Sequence, residues 1–337
     1  KVTIDNMAYL FFQRKINSAL IIAPKSVYLN WELEIEAHLP DVLKYKIYKW
    51  NINKPKDLHA LDNFKDLKIF LINVEALSTK RGFNACLEYL KLNKLNFVTL
   101  DESTTIKNRS AKRTKNILAL QKLALIRRIL TGSPITKSPL DLYTQCQFLS
   151  PELLGFSSYL AFRNRYAEMT DIPVGSGRYI SIPKYYKRLE ELEQKMKYFS
   201  TRIRKDECLD LKPKVRSKRY IELDGEGKKI YERLKHHALA IVEVLEKKYG
   251  KKSVVSIYGA VDVQTRKEAV RRIQEDPETR FLVGNPTTGG FGLTLTAVNT
   301  VIYFSNNYNL EVRKQSEDRA HRMGQKGTVV YIDIVAR

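Results

Sequence analysis

Residues 95–103 read Leu95-Asn96-Phe97-Val98-Thr99-Leu100-Asp101-Glu102-Ser103. An apolar run that breaks into two adjacent carboxylates has the form of a buried parallel strand ending in a polar turn. The flanking sequence repeats the theme. Upstream, residues 19–23 (ALIIA) form a short apolar strand pattern. Residues 26–38 follow with helical spacing, with Val27, Trp31, Ile35 and Leu39 on one stripe. Residues 68–74 (KIFLINV) are again strand-like. Downstream, a helix is expected over 110–123 and a strand over 127–131 (RRILT). Strand and helix in alternation predict an α/β fold with a parallel sheet covered by helices.

The C-terminal part returns to the same alternation. Strands are expected at 253–258, 280–284, 300–305 and 328–335, with helices near 264–275 and 310–322. Between the two parts, about 151–250, the chain is charged and rich in Lys, Glu and Tyr, and reads as helical. Residues 184–198 suit a solvated or bridging helix, and Gly175-Ser176-Gly177 a turn. The expected division is 1–150, a helical and crossing region over 151–215, and 216–337.

The 337 residues carry 59 Lys+Arg against 37 Asp+Glu, a net charge of +22. A polyanionic partner is the first explanation, because each neutralised phosphate releases counterions. No run approaches the ~18 apolar residues of a membrane span. Cys86, Cys146 and Cys208 lie far apart and the five histidines do not join them in zinc spacing. A reducing, cytoplasmic compartment is expected. The opening KVTIDNMAYLFFQRK has neither an initiator Met nor a small-residue cleavage site. It is expected to be neither a signal peptide nor a natural start.

Four constellations carry chemistry. After a strand, Asp101 can hold Mg²⁺ while Glu102 orients and deprotonates an attacking water; an acidic strand-ending turn is the plain alternative. Thr131-Gly132-Ser133-Pro134 can turn sharply at a strand end and offer hydroxyls to neighbouring sites. Gly289-Gly290-Phe291-Gly292 leaves bare amides that can approach phosphates, although no Lys follows as in a P-loop. The last is Gln315-Ser316-Glu317-Asp318-Arg319-Ala320-His321-Arg322-Met323-Gly324-Gln325. On a helix, positions 315, 318, 319 and 322 share a face. Arg319 and Arg322 can then reach γ-phosphate oxygens as arginine fingers.

In order, these segments resemble the motifs of Swi/Snf-type DNA-dependent ATPases of helicase superfamily two, in a compact phage- or prophage-like version. Ile22-Ala23-Pro24-Lys25-Ser26-Val27-Tyr28-Leu29-Asn30-Trp31 resembles motif Ia, and Asp101-Glu102 motif II. Leu130-Thr131-Gly132-Ser133-Pro134 resembles motif III, Gly289 to Ala297 motif V, and QSEDRAHRMGQ motif VI. The resemblance implies two RecA-like parallel-sheet lobes with a helical region between them and ATP in the cleft. Asp101 would coordinate Mg²⁺ and Glu102 would activate water. Arg319 and Arg322 would act as fingers, with Gln315 and Asp318 supporting them. Gly290, Gly292 and Asp318 fall at the nucleotide. Pro24, Lys25, Ser26, Asn73, Lys107, Asn108, Ser133 and Thr296 fall where the family touches nucleic acid. Residues 202–205 (RIRK) resemble the inter-lobe crossing.

Three departures stand out. Residues 1–5 look like the helix that follows a phosphate loop, so that loop is expected upstream. Thr104 stands where the family has His. The stretch before residue 253 is short, so a segment is expected to be missing near 240–252. The implied activity is ATP-driven translocation on double-stranded DNA, with a monomer compatible. A nucleic-acid scaffold without hydrolysis and an RNA-directed motor are the alternatives.

Overall fold

The strand β1 (Ser18–Ala23) is buried along its whole length. A strand of Ile, Leu and Ala hidden on both faces belongs at the centre of a parallel sheet. The computed structural model describes residues 1–175, 178–236, 238–258, 263–286, 293–305 and 310–336. It bears out the α/β class, and its described residues form two units, Lys1–Thr201 and Arg202–Arg337.

In the first unit, α1 (Val2–Phe12) precedes β1 and α2 (Tyr28–His38) follows it. The series continues with β2 (Tyr45–Lys49), β3 (Leu67–Asn73), α3 (Lys80–Leu92), β4 (Asn96–Leu100), α4 (Lys112–Leu120), β5 (Ile126–Ile129) and α5 (Leu142–Leu149). The sheet order is β2-β3-β1-β4-β5, and every neighbouring pair is parallel. One face buries Leu20, Ile22, Phe70, Ile72, Val98 and Leu100 against Cys86, Tyr89 and Leu90 of α3 and Ile117 and Leu120 of α4. The alternate residues Ala19, Ile21, Ile69, Leu71 and Phe97 are just as buried, so both faces are covered. Each large aliphatic or aromatic side chain hidden here contributes about 1.5–3 kcal/mol over leaving it in water. Thr79 caps α3, its Oγ1 accepting from the Gly82 amide at 3.1 Å. A Cβ at Gly82 would sit 2.4 Å from the Ala76 carbonyl oxygen, so only glycine lets this turn close.

The unit ends with α6 (Tyr159–Tyr166), an antiparallel hairpin of β6 (Ala167–Pro173) and β7 (Tyr179–Tyr186), and α7 (Leu189–Lys197). The hairpin corrects the expectation of a uniformly helical middle. The helix expected over 184–198 begins only at Leu189, because its first residues complete β7. Pro183 cannot donate within a helix, and the Tyr-Ile-Ser-Ile alternation before it has a period of two. Arg165 and the Tyr166 hydroxyl both bond Glu191, tying α6 to α7. Of the turn expected at 175–177, Ser176 and Gly177 lie outside the described residues.

In the second unit, α8 (Lys205–Cys208) leads to β8 (Val215–Ile221), α9 (Gly225–His236) and α10 (Ala238–Tyr249). Then come β9 (Val254–Ile257), α11 (Val263–Glu275), β10 (Phe281–Gly284), β11 (Thr300–Tyr303), α12 (Leu310–Ala320) and β12 (Val330–Ala336). β9 pairs with β10, and β12 lies between β11 and β8, all in parallel. β8 (VRSKRYI) lies in the stretch expected to be helical. Its charges suit the edge of a sheet, where side chains meet water. Two apolar clusters hold the unit: Val255, Ile257 and Ala269, and Tyr303, Ala320, Val329 and Tyr331. Among the described residues no helix is long and apolar enough to cross a membrane.

Candidate functional site

Parallel strands deliver their carboxyl ends to one edge of the sheet. In the first unit the register pairs Ala23 with Asn73, Ile22 with Leu100, and Leu100 with Ile129. That edge therefore gathers Pro24-Lys25-Ser26, Asn73, Asp101-Glu102 and Thr131-Gly132-Ser133. Pro24 is buried and opens a 3₁₀ turn whose Lys25 and Ser26 are exposed. The Asn73 amide donates to Glu75 Oε2 at 3.0 Å.

Asp101 is fixed by three hydrogen bonds. Its amide donates to the Ile22 carbonyl at 2.8 Å. Its Oδ2 accepts from Trp31 Nε1 and its Oδ1 from the Glu102 amide, each at 2.9 Å. Burial pushes the Asp101 carboxyl above its usual range, and the bonds from Trp31 and Glu102 oppose this only in part. Among the described residues no cationic side chain forms an ion pair with Asp101. A desolvated carboxylate without a counter-charge, at a strand end, suits a hard divalent cation. Glu102 is left-handed, with φ 48° and ψ 56°. That conformation costs a non-glycine residue roughly 1–2 kcal/mol, and such strain concentrates at functional turns.

Gln145 holds the acidic turn to the next loop. Its Oε1 accepts from the Ser103 hydroxyl at 2.7 Å, and its Nε2 donates to the Pro134 and Asp141 carbonyls, each at 2.8 Å. Ser103 and Gln145 are fully buried. The Ser103 amide also donates to the Leu130 carbonyl at 3.0 Å, and the Ser133 amide to Thr131 Oγ1 at 3.1 Å. Lys107 Nζ bonds Thr136 Oγ1. Asn108 Oδ1 accepts from the Ser110 amide and hydroxyl. The sequence reading missed Gln145 and the Trp31–Asp101 bond. The available signal for Gln145 was a polar amide among the apolar residues of α5. Gln145→Ala should lower unfolding stability by about 2 kcal/mol, because the Ser103 hydroxyl and two carbonyls lose a buried partner. Urea unfolding of the purified protein measures this.

In the second unit, two glycine-proximal segments meet. The Leu295 amide donates to the Arg319 carbonyl at 3.0 Å, and Arg322 Nη1 to the Leu293 carbonyl at 3.2 Å. Gln325 Nε2 bonds the Val298 and Ala320 carbonyls. Thr296 Oγ1 accepts from Gln274 Nε2 at 3.3 Å. The segment 293–298 is thus stitched to the end of α12. Gly290 and Gly292 lie outside the described residues. The helix carries Gln315, Asp318 and Arg319 but ends at Ala320. This corrects the placement of Arg322 one helical turn beyond Arg319. A turn closed by Gly324 at φ +96° redirects the chain, so Arg322 follows the helix.

Asp318 pairs with Lys205 at 2.8 Å and Lys214 at 3.1 Å. Beside it, buried Glu317 receives Lys214 at 3.1 Å, Arg216 at 2.9 Å and Arg313 at 3.0 Å. Its carbonyl accepts from the Tyr331 hydroxyl at 2.7 Å. Burial alone would raise the Glu317 carboxyl. The bonds from Arg216, Arg313 and Lys214 outweigh that and hold it below the usual range. Arg313 is itself anchored by Asp333 and lies 3.4 Å above the Tyr303 ring. The face of α12 next to Arg319 is therefore locked against β8 and β12.

Comparison with known proteins adds a family. The chain is 23% identical over 391 residues to the mouse "DNA annealing helicase and endonuclease ZRANB3", covering 97% of the chain and 35% of that protein. It is 26% identical over 408 residues to the Bacillus subtilis "Putative ATP-dependent helicase/translocase YwqA", covering 96% and 42%. The chain thus spans less than half the length of either relative. The solved "Sulfolobus solfataricus SWI2/SNF2 ATPase core in complex with dsDNA" aligns at 21% identity and TM-score 0.45, covering 99% of this chain and 80% of that one. The family model described as the SNF2-related domain matches residues 3–278, and the chain belongs to that family.

Proposed function

We propose that this chain is the motor core of a DNA-dependent ATPase that hydrolyses ATP and translocates along double-stranded DNA. The observation that carries the proposal is Asp101. It is a desolvated carboxylate without a cationic partner among the described residues, set at the carboxyl edge of a parallel sheet beside a strained Glu102. In this reading Asp101 holds Mg²⁺, which when bound neutralises phosphate oxygens. Glu102 orients the attacking water and takes its proton. Arg319 and Arg322 draw off charge developing on the γ-phosphate, supported by Gln315 and Asp318. The amides of Gly290 and Gly292 approach the nucleotide.

Pro24, Lys25, Ser26, Asn73, Lys107, Asn108, Ser133 and Thr296 form the nucleic-acid grip. Such a grip is salt-sensitive and weakly sequence-specific, in keeping with a net charge of +22. Residues 1–150 would serve as the first motor lobe, 151–215 as the helical and crossing region, and 216–337 as the second lobe. The names of the relatives, an annealing helicase and a helicase/translocase, point the same way.

The test is ATP turnover by the full-length protein with duplex DNA, with duplex RNA and without nucleic acid. Duplex DNA should stimulate turnover more than duplex RNA does. Turnover indifferent to DNA would overturn the proposal.

A further inference from the structure

Following the Asp101 turn along the chain, the first unit contains a cavity of about 430 Å³ lined by the 107–110 loop, the 138–144 segment, α6 and the β6/β7 hairpin. Three cations line it: Lys107, Arg109 and Arg163. Its one carboxylate, Asp141, is consumed internally. Asp141 Oδ2 accepts from the Thr136 hydroxyl and the amides of Thr136 and Lys137, at 2.9–3.2 Å. Arg109 stacks 4.5 Å over the Tyr159 ring, which packs edge-on against Tyr143. Among the described residues, the Arg163 side chain bonds the neutral Asn164 side chain. Among the described residues, neither arginine is paired with a carboxylate. The hairpin supplies the opposite wall through Met169, Ser181 and Pro183, none of them charged.

A concave site with an unbalanced cluster of guanidinium groups attracts phosphate oxygens, which Arg binds through a planar fork of donors. Stacking on Tyr159 restrains the Arg109 fork, so less side-chain freedom is lost on binding. We propose that this groove holds the phosphodiester backbone of a nucleic-acid strand, with Arg109 and Arg163 as its phosphate ligands. The proposal rests on the reading of the chain as a DNA motor. It extends the grip from Lys107 and Asn108 across to α6 and the hairpin.

The experiment is equilibrium binding of a fluorescent duplex DNA to the full-length protein across a salt series. Wild type is compared with Arg109→Ala/Arg163→Ala, with Arg109→Lys/Arg163→Lys, and with Lys44→Ala/Lys94→Ala, which removes two exposed charges elsewhere on the unit. Each phosphate contact contributes about 0.9 to the slope of log K against log salt. The double alanine variant should therefore lose roughly two from that slope, the lysine pair should restore most of it, and the Lys44/Lys94 control should keep it. A double alanine variant with the wild-type slope overturns the groove while leaving the motor reading intact. A wild-type protein without DNA affinity overturns both. A second arm titrates inorganic phosphate. Saturable phosphate binding that the alanine pair abolishes, with the DNA slope unchanged, would assign the groove to a small anion and overturn the proposal.

Discussion

Glu102→Gln should reduce DNA-stimulated ATP turnover by roughly 10²–10⁴-fold, the usual contribution of a positioned general base. Glutamine keeps the length of the side chain and can still hold a water by hydrogen bonding. It cannot take the proton. The backbone at φ 48° should be equally strained in both proteins, because neither residue is glycine. Nucleotide affinity should therefore change little, and the loss should fall on kcat. Steady-state turnover and titration with a non-hydrolysable ATP analogue separate the two. Turnover within twofold of wild type would remove Glu102 from the chemistry.

The neighbouring Asp101 adds a pH signature to the same measurement. Its carboxyl is raised above the usual range by desolvation. The charged form, which a cation requires, is therefore lost at a higher pH than for an exposed aspartate. Apparent Mg²⁺ affinity should weaken as pH falls through that raised value, so more Mg²⁺ should be needed for half-maximal turnover in acid.

Glu317→Ala should cost about 1.5–3 kcal/mol of stability, less than stranding a buried charge would, because Lys214 keeps Asp318 and Arg313 keeps Asp333. The side chain is only 3% exposed, and Lys214 and Arg313 are 20% and 17% exposed. Alanine would leave those cations clustered without their shared anion. Thermal or urea unfolding should register the loss, and a change under about 1 kcal/mol would show that the network contributes little. The sign of the pH dependence is also set. The carboxyl is depressed in the folded state, so its stabilisation is fully present above the unfolded value of about 4.3. It is lost as pH falls through the lower folded value. Wild type should therefore lose more stability on acidification than Glu317→Ala does.

The central strands were legible because burial on both faces leaves a continuous apolar run, as in ALIIA and NFVTL. Asp101 and Glu102 were legible because they interrupt such a run. β2 and β8 were not, because the charged residues within YKIYK and VRSKRYI break up the apolar signal. The β6/β7 hairpin was hidden for a related reason. Tyr179, Ile180 and Tyr185 are exposed, and Lys, Arg and Glu around them favoured a helical reading. Gln145 was invisible for a different reason. Its role depends on the Ser103 hydroxyl 42 positions earlier, and no local period encodes a contact of that range. The order of residues in QSEDRAHRMGQ marked the segment, yet it could not reveal that the helix stops before Arg322. That stop is set by Gly324 and by bonds to residues 293–298.

The opening stretch of the second unit is fastened directly onto α12. Lys205 reaches Asp318 and the His321 carbonyl, and His321 Nε2 meets the Lys212 carbonyl at 2.8 Å. Tension applied to the backbone where that unit begins would load the arginine-bearing helix before it reached the sheet. The segment is thereby a tendon, and its lysines set how faithfully a tug on the chain becomes a displacement of Arg319.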